Sequence, residues 1–393
     1  MGYYIPMENI RTKKRGLAAI FALCPVRHIL LLLSGALVLL HVCLRGNYAL
    51  MRRLADGPAA AVRRFLAQLT AEVPFSVAEL LIALAAIGTM VYIICSIAAM
   101  IRRKNRKNAL KQIYIIFITL TAGVMAVYAA FCLLWGVIFY GDDFIRKSGL
   151  KNDKISTEQL ETVTEYFAQL ANDYAPLVPR DESGACRSDR QAILRRSDEV
   201  FRATEQRIPC LAGPDIRAKG VFFSRVMSYI DFTGFFFPIT GEANVNMDFP
   251  EALFAFTVAH ELSHQRGVGK EQEANFVAVM ACLDYGDAEY CYSACLMAYI
   301  YLGNALYKAD NAAWQQVYST LSLEVRADLK ANNEYWARFD TPVQTISNTV
   351  YEGFLQSYDQ QLGLKSYGAC VDLLVNYYYD AAVAGKNDTF TEK

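Results

Sequence analysis

Histidine is scarce in this chain. Only four occur in 393 residues, at positions 28, 41, 260 and 264. The pair at His260 and His264 is therefore not a by-product of a histidine-rich composition. Net charge is also missing: 39 basic residues cancel 39 acidic ones. That removes any global pull toward nucleic acid, and no nucleic-acid partner is expected. Cys291 and Cys295 lack the CxxC spacing that a zinc knuckle needs. No internal repeat and no low-complexity tract is present. Finally, the stretch from Ile113 to Tyr140 contains no charged residue at all. A buried helix of a soluble protein would normally keep a charged face.

What is present in quantity is apolar sequence: 54% of the chain, in long runs near the start. Three runs stand out, at about 28–44, 76–101 and 113–140, each near the length a bilayer span requires. The first has Pro25, Arg27 and His28 on its N-terminal side. No small-residue cleavage site follows it cleanly, so an uncleaved anchor is expected. Orientation follows from the basic residues. Arg11, Lys13, Lys14, Arg15 and Arg27 precede the first run. Arg102, Arg103, Lys104, Arg106, Lys107 and Lys111 separate the second from the third, without an acid. Both segments belong on the cytoplasmic side. The expected organisation is a membrane domain over residues 1–145 and an extracytoplasmic domain over 146–393. In the first outer loop, "PAAAVRRFLAQL" reads as an amphipathic helix started by Pro58 and lying on the membrane surface.

Beyond Gly141 the composition becomes globular. "STEQLETVTEYFAQLANDYA" opens with a capping-box pattern at Ser156, and "DRQAILRRSDEVFRATEQR" reads as a further helix. Residues 220–249 are rich in Phe, Val and Ile and broken by Gly and Pro, which suits strands and turns. After Pro250 the pattern is helical nearly to the end. "CLMAYIYLGNALY" is apolar but short and lacks a basic flank, so it is read as a core helix. The six cysteines of this part permit disulfides, and free buried thiols fit equally well.

The chemistry is concentrated in "FTVAHELSHQRGVGKEQEANF", residues 256–276. On a helix, residues four apart stack on one face, so His260 and His264 point at one place. Zinc takes imidazole nitrogen at about 2.0–2.1 Å, and two such donors one turn apart suit a tetrahedral site. Glu261 projects beside them and is placed to act as general base toward a water activated by the metal. The flanking residues are uncharged except Arg266. A catalytic zinc wants a third protein ligand and an open position. Gly267 and Gly269 can turn the chain into a second helix carrying Glu271, Glu273 and Asn275. Glu271 and Asn275 share a face there, which favours Glu271 over Glu273 as third ligand. Asn275 is suited to orient a ligating histidine. The preceding strand "GEANVN", with Asn244, is expected to pair with extended substrate. Tyr367 is a candidate oxyanion donor, and Tyr351 is an equal one. The rival reading is a non-catalytic receptor or scaffold whose structural zinc is closed by a fourth ligand, with Glu273 the candidate. A second rival is a protease acting inside the membrane or at its cytoplasmic face. The last apolar run ends at Tyr140, far from the motif along the chain, and that separation argues against it.

"HELSH" followed by "EQEAN" looks like the gluzincin arrangement, in which the first Glu of the second motif is a ligand; this supports Glu271. A fuller resemblance is to a bacterial membrane family, domain of unknown function 3810. It is carried by "VPFSVAELL", "GFFFPITGEANVN", "AHELSHQRGVGKEQEANF" and "VYEGFLQSYDQQLGLKSYG". That resemblance implies a membrane-anchored zinc metallopeptidase acting on a peptide or protein substrate. The expected fold is mainly α: three transmembrane helices, then a zincin-like α+β domain with a small sheet.

Overall fold

A computed structural model describes residue 16 and residues 18–103, 106–358 and 367–391. Arg11, Lys13, Lys14, Arg15 and Lys104 of the basic clusters lie outside the described residues. Among the described residues, three helices are long and apolar enough to cross a membrane. They are α1 (Pro25–Leu44), α3 (Val77–Arg103) and α4 (Arg106–Leu134), with α2 (Ala60–Ala71) between the first two. Their side chains point mostly outward; only 6% of the apolar stretch of α3 is buried. Exposed Leu, Ile and Val over whole helices require an apolar surrounding.

The third helix ends before the apolar run that encodes it does. It stops at Leu134, and Gly136–Tyr140 form a 3-10 turn. Trp135, Val137 and Ile138 are buried there in a small cluster with Met51, Ala55 and Ala59. The run is apolar to Tyr140 because its end packs on protein. The segment between the first two spans also differs from expectation. Pro58 lies inside a π-helical segment, Ala55–Ala59, that joins the helix Tyr48–Leu54 to α2. The polar face of α2 turns inward: Arg63, Ala67 and Thr70 are buried against the globular part. Val62, Phe65 and Leu69 face outward, which agrees with a helix at a membrane surface.

The globular part has one large core that begins at Phe144 and runs to Ala382. Its first long helix, α5 (Thr157–Tyr174), has the capping box complete. Ser156 Oγ accepts from Gln159 N at 3.2 Å, and Gln159 Oε1 accepts from Ser156 N at 2.9 Å. The next expected helix is broken into Arg190–Arg196 and Arg202–Arg207. Ser197 lies at the break, its hydroxyl donating to Leu194 O and accepting from Ala218 N; such local bonds compete with helix. The sheet among the described residues has three strands, β1 (Lys219–Val221), β2 (Gly234–Phe237) and β3 (Glu242–Asn246), in the order β1-β3-β2. β1 runs parallel to β3, and β2 antiparallel to it, with Phe235 opposite Asn244. A short helix, Ser224–Tyr229, occupies part of the stretch read as strand.

After the sheet come α6 (Phe254–Gln265), α7 (Glu271–Tyr285) and α8 (Ala288–Ala309), then α9 (Pro342–Ser357) and α10 (Tyr367–Thr391). Residues 295–307 lie in α8, whose inner face is buried in the core, as a core helix requires. All ten cysteines are free.

Candidate metal centre

Helix α6 is almost entirely buried, from Phe254 to Gln265, with only His260 partly open. Its C-terminus is closed by Gly267 at φ 93°, whose N–H donates to His264 O at 2.9 Å. Glycine suits this left-handed cap because it has no Cβ to clash. Arg266, the odd charge of the motif, is buried on the side away from the histidines. It pairs with Asp215 at 3.1 Å and with Glu205, and lies over the Phe201 ring. Gly269 completes the tight turn; a Cβ there would stand 2.6 Å from Ile138 Cγ2. The chain then enters α7, and Glu271 is its first residue.

The result is a three-residue cluster. Ligand atoms of His260, His264 and Glu271 lie within 4.8 Å of one another. Glu271 Oε2 is 3.2 Å from His260 Nε2 and 3.5 Å from His264 Nε2. The Nδ1 of His264 is 2.7 Å from Val268 O. A carbonyl only accepts, so Nδ1 carries the proton and Nε2 faces the cluster. Burial pushes His260 down as a base. For His264, burial acts downward too, but the Glu271 carboxylate outweighs it and raises the group to about 9. Glu271 is held well below the carboxylate range: the two histidines overcome its burial. Positive charge is thus stabilised where the three ligands meet.

Glu261 is buried beside the cluster, and its Oε2 has no hydrogen-bond partner among the described residues. Burial raises its carboxyl to about 8. Gly234, the first residue of β2, stands against it. A Cβ at that position would meet Glu261 Oε1 at 2.5 Å and Cγ at 2.6 Å. Tyr351 of α9 donates its hydroxyl to Glu271 Oε1 at 2.8 Å. Asn275 lies close enough to His260 to favour its protonated form, although His260 Nδ1 makes no geometrically sound hydrogen bond among the described residues.

Other expected site residues lie elsewhere. Glu273 faces away from the cluster, accepting from Phe144 N at 2.9 Å with Lys270 nearby. Asn244 is fully buried on the central strand. Its amide donates to Glu242 O, and its oxygen accepts from Ser76 Oγ at 2.6 Å. The central position leaves β3 no free edge; β1 and β2 are the edge strands, and of these β2 lines the cleft. Tyr367 opens α10, and its side chain lies outside the described part. Of the two tyrosine candidates, only Tyr351 is brought to the cluster among the described residues.

Three contributors escaped the sequence reading: Gly234, Trp135 and Arg63. Trp135 packs edge-on against His264 with ring centres 5.9 Å apart, and against Phe236 at 4.8 Å. Arg63 lies over the Trp135 ring and donates to Leu134 O at 2.6 Å. A tryptophan near the end of an apolar run marks an interfacial position, and that was the available signal. Nothing local marks Gly234. The cluster opens into a cleft of about 710 Å³.

Fold and site together define a mainly helical protein with three candidate membrane spans and a His-His-Glu cluster beneath a sheet edge. The chain belongs to the family described as protein of unknown function DUF3810, whose model matches residues 59–375. The match takes in the second and third candidate spans, the sheet and the whole cluster. No curated protein and no solved structure matches the chain.

Proposed function

We propose that this chain is a membrane-anchored zinc metallopeptidase with a zincin-like domain. The observation that carries the reading is the convergence of His260, His264 and Glu271 with Glu261 beside them at the floor of a cleft. The donor set fits zinc: two imidazoles and a carboxylate, with the His264 tautomer fixed by Val268. The unpartnered Oε2 of Glu261 lies beside the same place. A zinc ion held by the three ligands would supply Lewis-acid chemistry toward a peptide carbonyl and a water.

The protein's own groups do the rest. Glu261 takes the proton of the attacking water and returns one to the leaving amine. Its burial makes it a stronger base than a surface carboxylate. Gly234 keeps room for it. Strand β2 offers an open edge along the cleft, to which an extended peptide can add by backbone hydrogen bonds. Tyr351 orients Glu271, and Asn275 stands beside His260. The geometry favours this reading over a closed structural site, because Glu273 is bonded to Phe144 N and Lys270. The basic residues favour a cytoplasmic N-terminus and an extracytoplasmic globular part, in the cell membrane.

The test is zinc content and peptide hydrolysis of the full chain in detergent. Wild type should hold about one zinc and cleave. His264→Ala should lose the metal. Glu261→Gln should keep the metal and lose turnover by several orders of magnitude. Full activity in Glu261→Gln would sink the mechanism.

A further inference from the structure

The cleft has an unusual composition for a surface exposed to water. Its walls carry Phe131, Trp135, Phe235, Phe236, Ile300 and Phe354, and no lysine or arginine lines it among the described residues. Apart from Glu271 and Glu261, Asp231 is the one acid among the lining residues, and it is engaged by Asn348. Among the described residues such a wall offers no Lys or Arg cation for a terminal carboxylate or a phosphate. It rewards large apolar side chains.

The position of the cleft is equally informative. Phe131 belongs to the last turn of α4, just before its end at Leu134. At 1.5 Å per residue the cleft wall therefore reaches about 4–5 Å inside the span. Helix α9 forms the facing wall. One side of it turns Tyr351 and Phe354 into the cleft. The other side leaves Val343, Ile346 and Val350 exposed, at 54%, 65% and 68%. Its C-terminal end is pinned to the same span: Phe354 packs on Phe131, and Tyr358 donates to Tyr128 Oη at 3.1 Å. A second exposed apolar group sits where α3 begins. Phe222 and Phe223 donate their amides to Glu79, in the first turn of α3, and the two residues are 85% and 53% exposed. Phe65 and Leu69 of α2, the helix that leads into α3, are exposed as well, so several exposed apolar groups belong to segments next to the start of that span. Exposed aromatic side chains beside the end of a span belong in the interfacial layer of a bilayer.

We infer that the cleft takes an extended apolar segment lying at the bilayer surface, the juxtamembrane stretch of a membrane-anchored protein. Its bulky side chains fill the aromatic walls while its backbone lies along β2. The inference rests on the metallopeptidase reading for turnover, but the binding it describes does not need turnover.

The experiment uses the full chain, zinc-loaded, in phospholipid nanodiscs. Four reporters share one backbone length. Two carry Phe and Leu around the central bond, and two carry Ser and Asp there. One of each pair is free and the other is fused to a membrane-spanning helix. Binding is read by fluorescence anisotropy on the Glu261→Gln variant, and cleavage on wild type. The free apolar peptide should bind about tenfold or more tightly than the free polar one. The anchored apolar reporter should be cut about tenfold or more faster than its free counterpart. Equal binding of polar and apolar peptides, no binding of either, or cleavage of the free and anchored apolar reporters at equal, measurable rates overturns the inference. Tight apolar binding with no cleavage of any reporter sinks the metallopeptidase reading and leaves the ligand class standing. Rapid cleavage of the free polar peptide does the reverse.

Discussion

At the scale of single residues, the least conspicuous side chain in the site is the absence of one. Gly234 has no unusual backbone angle to excuse it; what it provides is space, because its hydrogen stands where a methyl would press on Glu261. Gly234→Ala should therefore displace Glu261, the proposed general base, while leaving the three proposed ligands in place. A misplacement of about 1 Å costs on the order of 10²-fold in rate. The expected result is a fall of that order in kcat/KM at unchanged zinc content, read by metal analysis beside peptide hydrolysis. Tyr351 makes a different kind of contribution. Its hydroxyl holds Glu271 Oε1, and losing such an outer partner costs about 10–100-fold in metal affinity. Tyr351→Phe should show that loss in chelator competition. An unchanged affinity with a lower kcat would instead put the hydroxyl on the substrate. Sequence spacing could reveal His260, His264, Glu261 and Glu271 because all four fall in one short stretch, where helix periodicity fixes direction. Gly234 reaches the site from a strand on the far side of Pro250, and Tyr351 from α9, 80 residues along the chain from Glu271. Their roles are tertiary, and no local pattern encodes them.

At the scale of elements, the sheet is joined to the membrane part by a buried charge. Glu242 of β3 accepts from Val77 N and Ala78 N, the start of α3, at 3.1 and 2.7 Å. It also pairs with Lys219 of β1 at 2.6 Å, both side chains being nearly inaccessible. Lys219 Nζ donates in addition to Thr70 O, at the end of α2. One ion pair thus ties two strands, a span and the surface helix. Removing one partner leaves an uncompensated buried charge, which typically costs about 3–5 kcal/mol. Lys219→Met should lower stability by that amount in thermal unfolding of the full chain. Lys219→Met with Glu242→Gln should recover part of it. A change below about 1 kcal/mol in the single variant, the range of an exposed pair, would mean that the carboxylate is hydrated. The elements were largely readable: three apolar runs, a capped helix at Ser156 and helices after Pro250 follow from composition and period. The strand order was not. "GEANVN" has the apolar alternation of a strand, but only pairing decides that β3 is central and that "GFFF" is an edge strand.

At the scale of the whole molecule, the chain divides less cleanly than its composition does. The main core begins at Phe144. The site does not respect that line. Trp135 covers His264, Arg63 holds Trp135, and Ile138 packs on the glycine turn between the two ligand helices. The Thr240–Gly241 turn, which joins the edge strand to the central one, rests on α2: Thr70 donates to Thr240 O, and Gly241 lies directly on Arg63 O and Ala67 N. A fragment of residues 146–393 would retain every proposed ligand and lose every one of these supports. It would also expose the apolar faces that Met51, Trp135 and Val137 now fill. The fragment should fold its helical core, since that core is continuous from Phe144 onward. Its sheet, turn and β2 edge should be the part that loosens, because local stability follows local burial and contacts. Hydrogen exchange compared between fragment and full chain should show lost protection at 234–246 and 266–271, with α5 and α8 unchanged. Peptide hydrolysis should fall about 10²-fold or more through misplacement of Glu261 and β2. If instead the fragment keeps full protection at 234–246 and full turnover, the membrane part is an anchor alone, and the site owes nothing to it.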